Sequence, residues 1–158
     1  MNLVEQMHPV DGLQPAADAA GRTGAYVSLK NAKMAWVAFH INQGNAAPVA
    51  CDVLQATSVA GAGPAKALSV NAPIWANLDT AAGDALARAT DAKTYTTDAG
   101  VKRKIVIFQI DPASLDLAGG FDCIAPRTGA SNAANITEAE IFFELRYASA
   151  TPPSMVVD

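Results

Sequence analysis

The chain has 158 residues, of which 51% are hydrophobic and only 16% charged, and it carries a net charge of −4. This length fits one domain with a sizeable core, and the acidic balance argues against a nucleic-acid partner, because phosphate affinity comes from clustered Lys and Arg. No apolar run approaches the ~20 residues that span a bilayer, and the N-terminal MNLVEQMHPVDG has neither the basic start nor the apolar stretch of a secretory signal.

In chain order, residues 1–24 carry Pro9, Gly12, Pro15, Gly21 and Gly24, so an extended N-terminal arm without regular structure is expected there. A first strand is predicted over 25–29 and a second over 34–43, with Val37, Phe39 and Ile41 on one face and Trp36, Ala38 and His40 on the other. A third covers 49–59, where the apolar phase shifts at Leu54 and suggests a bulge. Shorter strands are expected at 67–70 and 74–78. Residues 79–91 are ambiguous, since a helical turn around Leu86 is opposed by Gly83 and Thr90.

A Thr/Tyr strand at 94–97 leads to the long strand 101–110, in which Ile105-Val106-Ile107-Phe108 is apolar on both faces. Such a strand lies centrally in a sheet or turns one face to another subunit. The run Lys102-Arg103-Lys104 at its entrance reads as a solvated edge that discourages edge-to-edge pairing. After it, Asp111 is placed to cap a short helical turn begun by Pro112. Strands at 121–125 and 140–148 complete the set, the last alternating Ile141, Phe143, Leu145 and Tyr147 against Phe142, Glu144 and Arg146. Residues 151–158 read as a C-terminal tail.

About eight strands with regular turn signals and no internal repeat predict an all-β fold, an antiparallel β-sandwich or jelly-roll-like barrel over 25–150. The core is expected from Val37, Phe39, Ile41, Val53, Val106, Phe108, Ile110, Ile141, Phe143 and Leu145.

Reactive chemistry is sparse. No nucleophile elbow, phosphate loop, zinc-protease helix or dinucleotide fingerprint occurs. Cys51 and Cys123 are too few for a disulfide scaffold and read as buried thiols, a bridge between them being an open alternative. His8 and His40 are far apart, so no metal spacing is seen. Asp111, Asp116 and Asp122, with Glu138 and Glu140, are the carboxylates that could gather around a cation or a glycosidic bond, but their positions are those of turns, caps and a solvent face. Neither catalysis nor a cofactor is expected.

The segments DPASLDLAGGFDCI (111–124) and TGASNAANIT (128–137), with a strand ending in RYA (146–148), resemble small structural proteins of tailed bacteriophages. The resemblance extends over about 26–148 and implies a capsid decoration or cement protein. Such a protein is assembled in the host cytoplasm, sits on the capsid exterior, and bridges subunits of the major capsid protein. A homo-oligomer is expected, a trimer above other states because capsid lattices offer local threefold positions. Trp36, Trp75, Ile105, Ile107 and Phe142 are the candidate oligomer or capsid interface. The alternative is a carbohydrate- or receptor-binding β-module of a phage tail, with Trp36 and Trp75 joined by Tyr26, Tyr95 and Tyr147 in a stacking platform.

Overall fold

Alternating apolar residues build two stacked antiparallel sheets in the computed structural model, which describes residues 3–157. A helical turn, Leu3–Gln6, precedes β1 (Met7–Ala17), β2 (Arg22–Thr23), β3 (Val27–Ser28), β4 (Ala32–Gln43), β5 (Ala50–Ala56) and β6 (Ala65–Ala67). These are followed by β7 (Ala72–Asn77), β8 (Ala87–Ala92), β9 (Thr94–Thr96), β10 (Arg103–Ile110), β11 (Cys123–Thr128) and β12 (Asn135–Leu145). The first sheet has the order β1-β12-β4-β10-β7-β8. In the second, β11 and β5 lie side by side, with β2 and β3 along the outside of β11 and β6 and β9 along the outside of β5. The fold is a β-sandwich and not a closed barrel.

All ten residues expected in the core are buried in one cluster between the sheets. Phe39 and Phe108 meet edge-to-face there, with ring centroids 5.9 Å apart. The two-faced strand β10 is central, between β4 and β7. Asp111 caps as expected: its side chain accepts from Ala113 N at 2.9 Å and opens the 3₁₀ turn Pro112–Ser114. A second such turn, Leu117–Gly119, ends on Gly120 at φ 81°, a left-handed conformation that favours glycine.

Several expectations are corrected. Residues 7–17 are no irregular arm, since they pair with β12 along its whole length and bury Leu13. Pro9 and Pro15 are compatible with this because β1 is an edge strand. The return toward β3 is tight: a Cβ on Gly24 would sit 1.9 Å from the carbonyl oxygen of Gly12. β5 contains no bulge; its ladder with β11 is unbroken, and Leu54 breaks phase because both faces of the strand are buried. Residues 87–92 are a strand, not a helical turn. The C-terminal segment is anchored, with Met155 in the core and its carbonyl accepting from Ser28 N at 2.7 Å. Residues 1, 2 and 158, which the sequence reading assigned to arm and tail, lie outside the described residues.

Leu13 is the deepest apolar contact of β1, so Leu13→Ala should destabilise by about 3 kcal/mol. Deleting residues 1–17 should lower the melting temperature further by exposing the β12 edge. Calorimetry of both variants checks this, and an unchanged melting temperature would return the segment to a dispensable arm.

Candidate functional site

Pleating sends alternate residues of each strand to opposite sides, so register decides what the outer face of the first sheet displays. In β10, Val106, Phe108 and Ile110 point inward while Ile105 and Ile107 stay half-buried on the outer side. The pairings Phe142↔Trp36, Trp36↔Gln109, Ala38↔Ile107 and Ile107↔Trp75 place Trp36, Trp75, Ile105, Ile107 and Phe142 together on that outer face. All five are half-buried. Two shallow depressions adjoin them. One of about 320 Å³ is floored by Ala38, Ile105, Ile107 and Phe142 and flanked by Leu86. The other, about 390 Å³, lies toward His40, Arg103, Ile136 and Glu138.

Trp75 is covered on one ring face by the Arg88 guanidinium, 4.7 Å from the centroid, and Arg88 also pairs with Asp91 at 2.6 Å. The other candidate platform residues do not join the two tryptophans. Tyr95 lies on β9 in the second sheet, and Tyr147 is 85% exposed beyond β12. Tyr26 precedes β3 and packs beside Gly61.

The three aspartates are taken up separately, while Glu138 and Glu140 stand exposed on the outer face of β12. Asp111 caps its turn, Asp116 pairs with Lys66 at 2.5 Å and accepts from Gly119 N, and Asp122 lies 3.6 Å from Lys30. Lys66 beside Asp116 holds that carboxyl below its ordinary range. Among the described residues no group of three or more His, Cys, Asp and Glu is placed to hold a metal ion. Both cysteines are buried; Cys51 stands opposite Thr128 and Cys123 opposite Ala56. Five ladder steps correspond to roughly 17 Å, beyond disulfide reach. Burial, with Asp18 and Asp52 nearby, pushes the Cys51 thiol far up and keeps it protonated.

The basic run does not form one solvated patch. Lys102 pairs with Asp79, Arg103 is exposed on the outer face, and Lys104 turns inward with its side chain fully buried. Its ammonium donates to Gln43 Oε1 at 2.8 Å, to the Asp98 carbonyl at 3.0 Å and to Asp98 Oδ1 at 2.5 Å. Thr97 Oγ1 donates to the same Gln43 oxygen and accepts from Val49 N, tying the first sheet to the second. The sequence reading missed this tie, and also buried Asp18, which accepts from Arg22, Thr128 and Thr137. The one local signal was the Asp18/Arg22 spacing.

No family model matches the chain, and no curated protein matches it. Among solved structures it is similar to the SPBc2 prophage-derived protein YomS at 10% identity, over 86% of this chain and 91% of that one, with a TM-score of 0.47. The Emp46p carbohydrate recognition domain aligns over 89% of both chains at 8% identity and a TM-score of 0.37. A CBM4 protein aligns over 90% of this chain and 70% of that one, at 11% identity and a TM-score of 0.31.

The buried tie carries two predictions and the capped turn a third. Gln43→Leu takes one of three acceptors from the buried Lys104 ammonium and the acceptor of the Thr97 hydroxyl, and should cost about 2 kcal/mol, whereas Lys104→Met removes the charge with its need and should cost less. The hydrogen bond from Lys104 holds the Asp98 carboxyl below its ordinary 3.8. Its contribution is therefore complete above that pH and lost as the pH falls through the depressed folded-state value. The melting-temperature gap between wild type and Asp98→Asn should persist at neutral pH and close in stronger acid. For the turn, Asp111→Ala should lower stability by about 1 kcal/mol, as a lost cap does. A glycan-hydrolysing activity that Asp111→Ala abolished with melting unchanged would overturn the capping assignment.

Proposed function

We propose that this chain is a non-enzymatic structural protein of a tailed-bacteriophage virion. In this reading it is a capsid decoration or cement protein on the capsid exterior, contacting subunits of the major capsid protein and copies of itself. The observation that carries the reading is the outer face of the first sheet, where Trp36, Trp75, Ile105, Ile107 and Phe142 converge. An apolar, half-buried stripe that the segment carrying Thr80, Asp84 and Leu86 only flanks suits a surface that another protein covers. The sequence resemblance over 26–148 supplies the class of assembly. The low share of charge, 16%, fits a chain whose surface is partly covered.

A glycan- or receptor-binding module is the second reading, favoured by Trp36 and Trp75 sharing one face. Against it, Arg88 already stacks on Trp75, and the three tyrosines lie elsewhere. A stacking platform needs open ring faces.

Heads of the major capsid protein from the same genome, prepared without this chain, provide the test. Adding the purified protein should produce co-sedimentation and regular extra density on the head exterior by cryo-electron microscopy, with heads that resist heating better. Absence of binding to heads, or density confined to the tail, would overturn the decoration reading. Retention on a glycan array together with empty heads would favour the second.

A further inference from the structure

One row of side chains crosses the whole outer face. The pairings Asp11↔Glu140, Glu140↔Ala38, Ala38↔Ile107, Ile107↔Trp75 and Trp75↔Arg88 align residues from β1 to β8. The row is acidic at one end, apolar through the middle and basic at the other. Neither Asp11 nor Glu140 takes part in an ion pair among the described residues. The Arg88 side chain pairs with Asp91 and donates to the Ile74 and Ala89 carbonyls, and it is still 43% exposed at the rim of the face.

A sequence of this kind is complementary to itself under one operation. Rotation by half a turn about an axis lying in the face and parallel to the strands, between β4 and β10, carries β1 and β12 onto β8 and β7. It leaves position along the strands unchanged, so the same row meets itself reversed. Asp11 and Glu140 of one copy then face Arg88 and Trp75 of the other, twice by symmetry, and Ala38 faces Ile107. An isologous interface requires this self-complementarity of one patch.

The dimensions also suit a second copy. Six strands at ~4.8 Å and the eight residues of β10 at ~3.4 Å give a face of roughly 29 by 27 Å, or about 800 Å². That is the area each partner buries in a standard interface, about 800 Å².

We infer that the outer face of the first sheet is a two-fold docking surface for a second copy of this chain, closed by reciprocal pairing of Asp11 and Glu140 with Arg88 across an apolar centre. The inference rests on the reading of this face as a contact surface but not on the capsid assignment. It also gives the face two-fold symmetry, where the lattice argument from sequence favoured a trimer.

Sedimentation equilibrium of the purified full chain at micromolar concentrations tests it. The wild type should be a dimer that weakens as salt rises, because the end contacts are solvent-accessible charge pairs. Glu140→Arg and Arg88→Glu should each weaken the dimer about tenfold or more, by placing like charges opposite each other at both ends. An equimolar mixture of the two variants should recover wild-type affinity, since each then presents the charge the other lacks at both contacts. Ile107→Asp should abolish the dimer. All three side chains lie on the outer face, and melting curves would confirm that the variants fold. A wild-type monomer would overturn the inference without touching the capsid reading. So would an oligomer indifferent to these changes, or single variants that fail to recover on mixing. Failure of the protein to bind heads while the variants behave as described would overturn only the capsid reading.

Discussion

The register of β10 against β4 is the constraint from which the rest of the molecule follows, and Lys104 is the residue that makes it costly to change. Lys104 lies on the same side of its strand as Val106, Phe108 and Ile110, so its ammonium enters the sandwich. A buried charge is tolerated only where acceptors surround it, and here they are Gln43 and Asp98. Slipping the strand by one residue would move the ammonium to the outer face and bring Arg103, Ile105 and Ile107 into a space packed for other shapes. Such a slip loses the polar tie and the Phe39–Phe108 contact together. The buried ammonium, tied to Gln43 and to the exposed Asp98, thus penalises a change of register.

Once that register is set, the outer face is determined as well. Ile105 and Ile107 can only point away from the core, and β4, β7 and β12 then bring Trp36, Trp75 and Phe142 alongside. Burying one face of a strand leaves the other to whatever residues alternate with the core, and in most solvent-facing strands these are polar. Here the middle of the central strand, Ile105 to Phe108, is apolar on both sides, while polar residues on the same face stand around it: Glu138, Glu140 and Asp11 on one flank, Arg88 on the other, and His40, Asn42, Arg103 and Gln109 along β4 and β10 themselves. An apolar centre ringed by polar residues is the pattern that the proposed contact surface would require.

What was legible in the sequence followed from how strongly each strand alternates. Residues of β4, β10 and β12 display their faces openly, and every core residue read from them is buried. Trp36, Ile105, Ile107 and Phe142 alternate with core residues in those strands, whereas Trp75 carried no such signal, and the sequence alone gave no reason to expect the five in one continuous field. β1 stayed hidden because it is an edge strand with two prolines and two register shifts, contributing little more than Val10 and Leu13 to the core. β8, with the sequence ARATDA, carries almost no apolar signal, and its strand form depends on pairing with β7. Buried Lys104 was misread as part of a solvated edge, since a run of three cations gives no sign that the third is surrounded by acceptors supplied 61 and 6 residues away. Long-range polar closure of this kind is a property of the assembled fold and not of any window of sequence.

The margins of the first sheet bear on how copies of it can meet. An open sheet invites another strand at its edges unless the edges are blunted. β1 carries Pro9 and Pro15, which cannot donate to a neighbouring strand, and β8 carries Arg88 and Asp91. Edge-to-edge growth, which is open-ended, is therefore discouraged at both ends, while the apolar centre is left accessible. Face-to-face docking is closed: once two copies cover each other's outer face, no further copy can join there. For a chain with 16% charged residues, a closed contact would cover the apolar stripe without propagating into aggregates. The same blunted edges and apolar centre would serve a protein that has to occupy defined positions on a larger lattice, because association then stops where the matching surface ends.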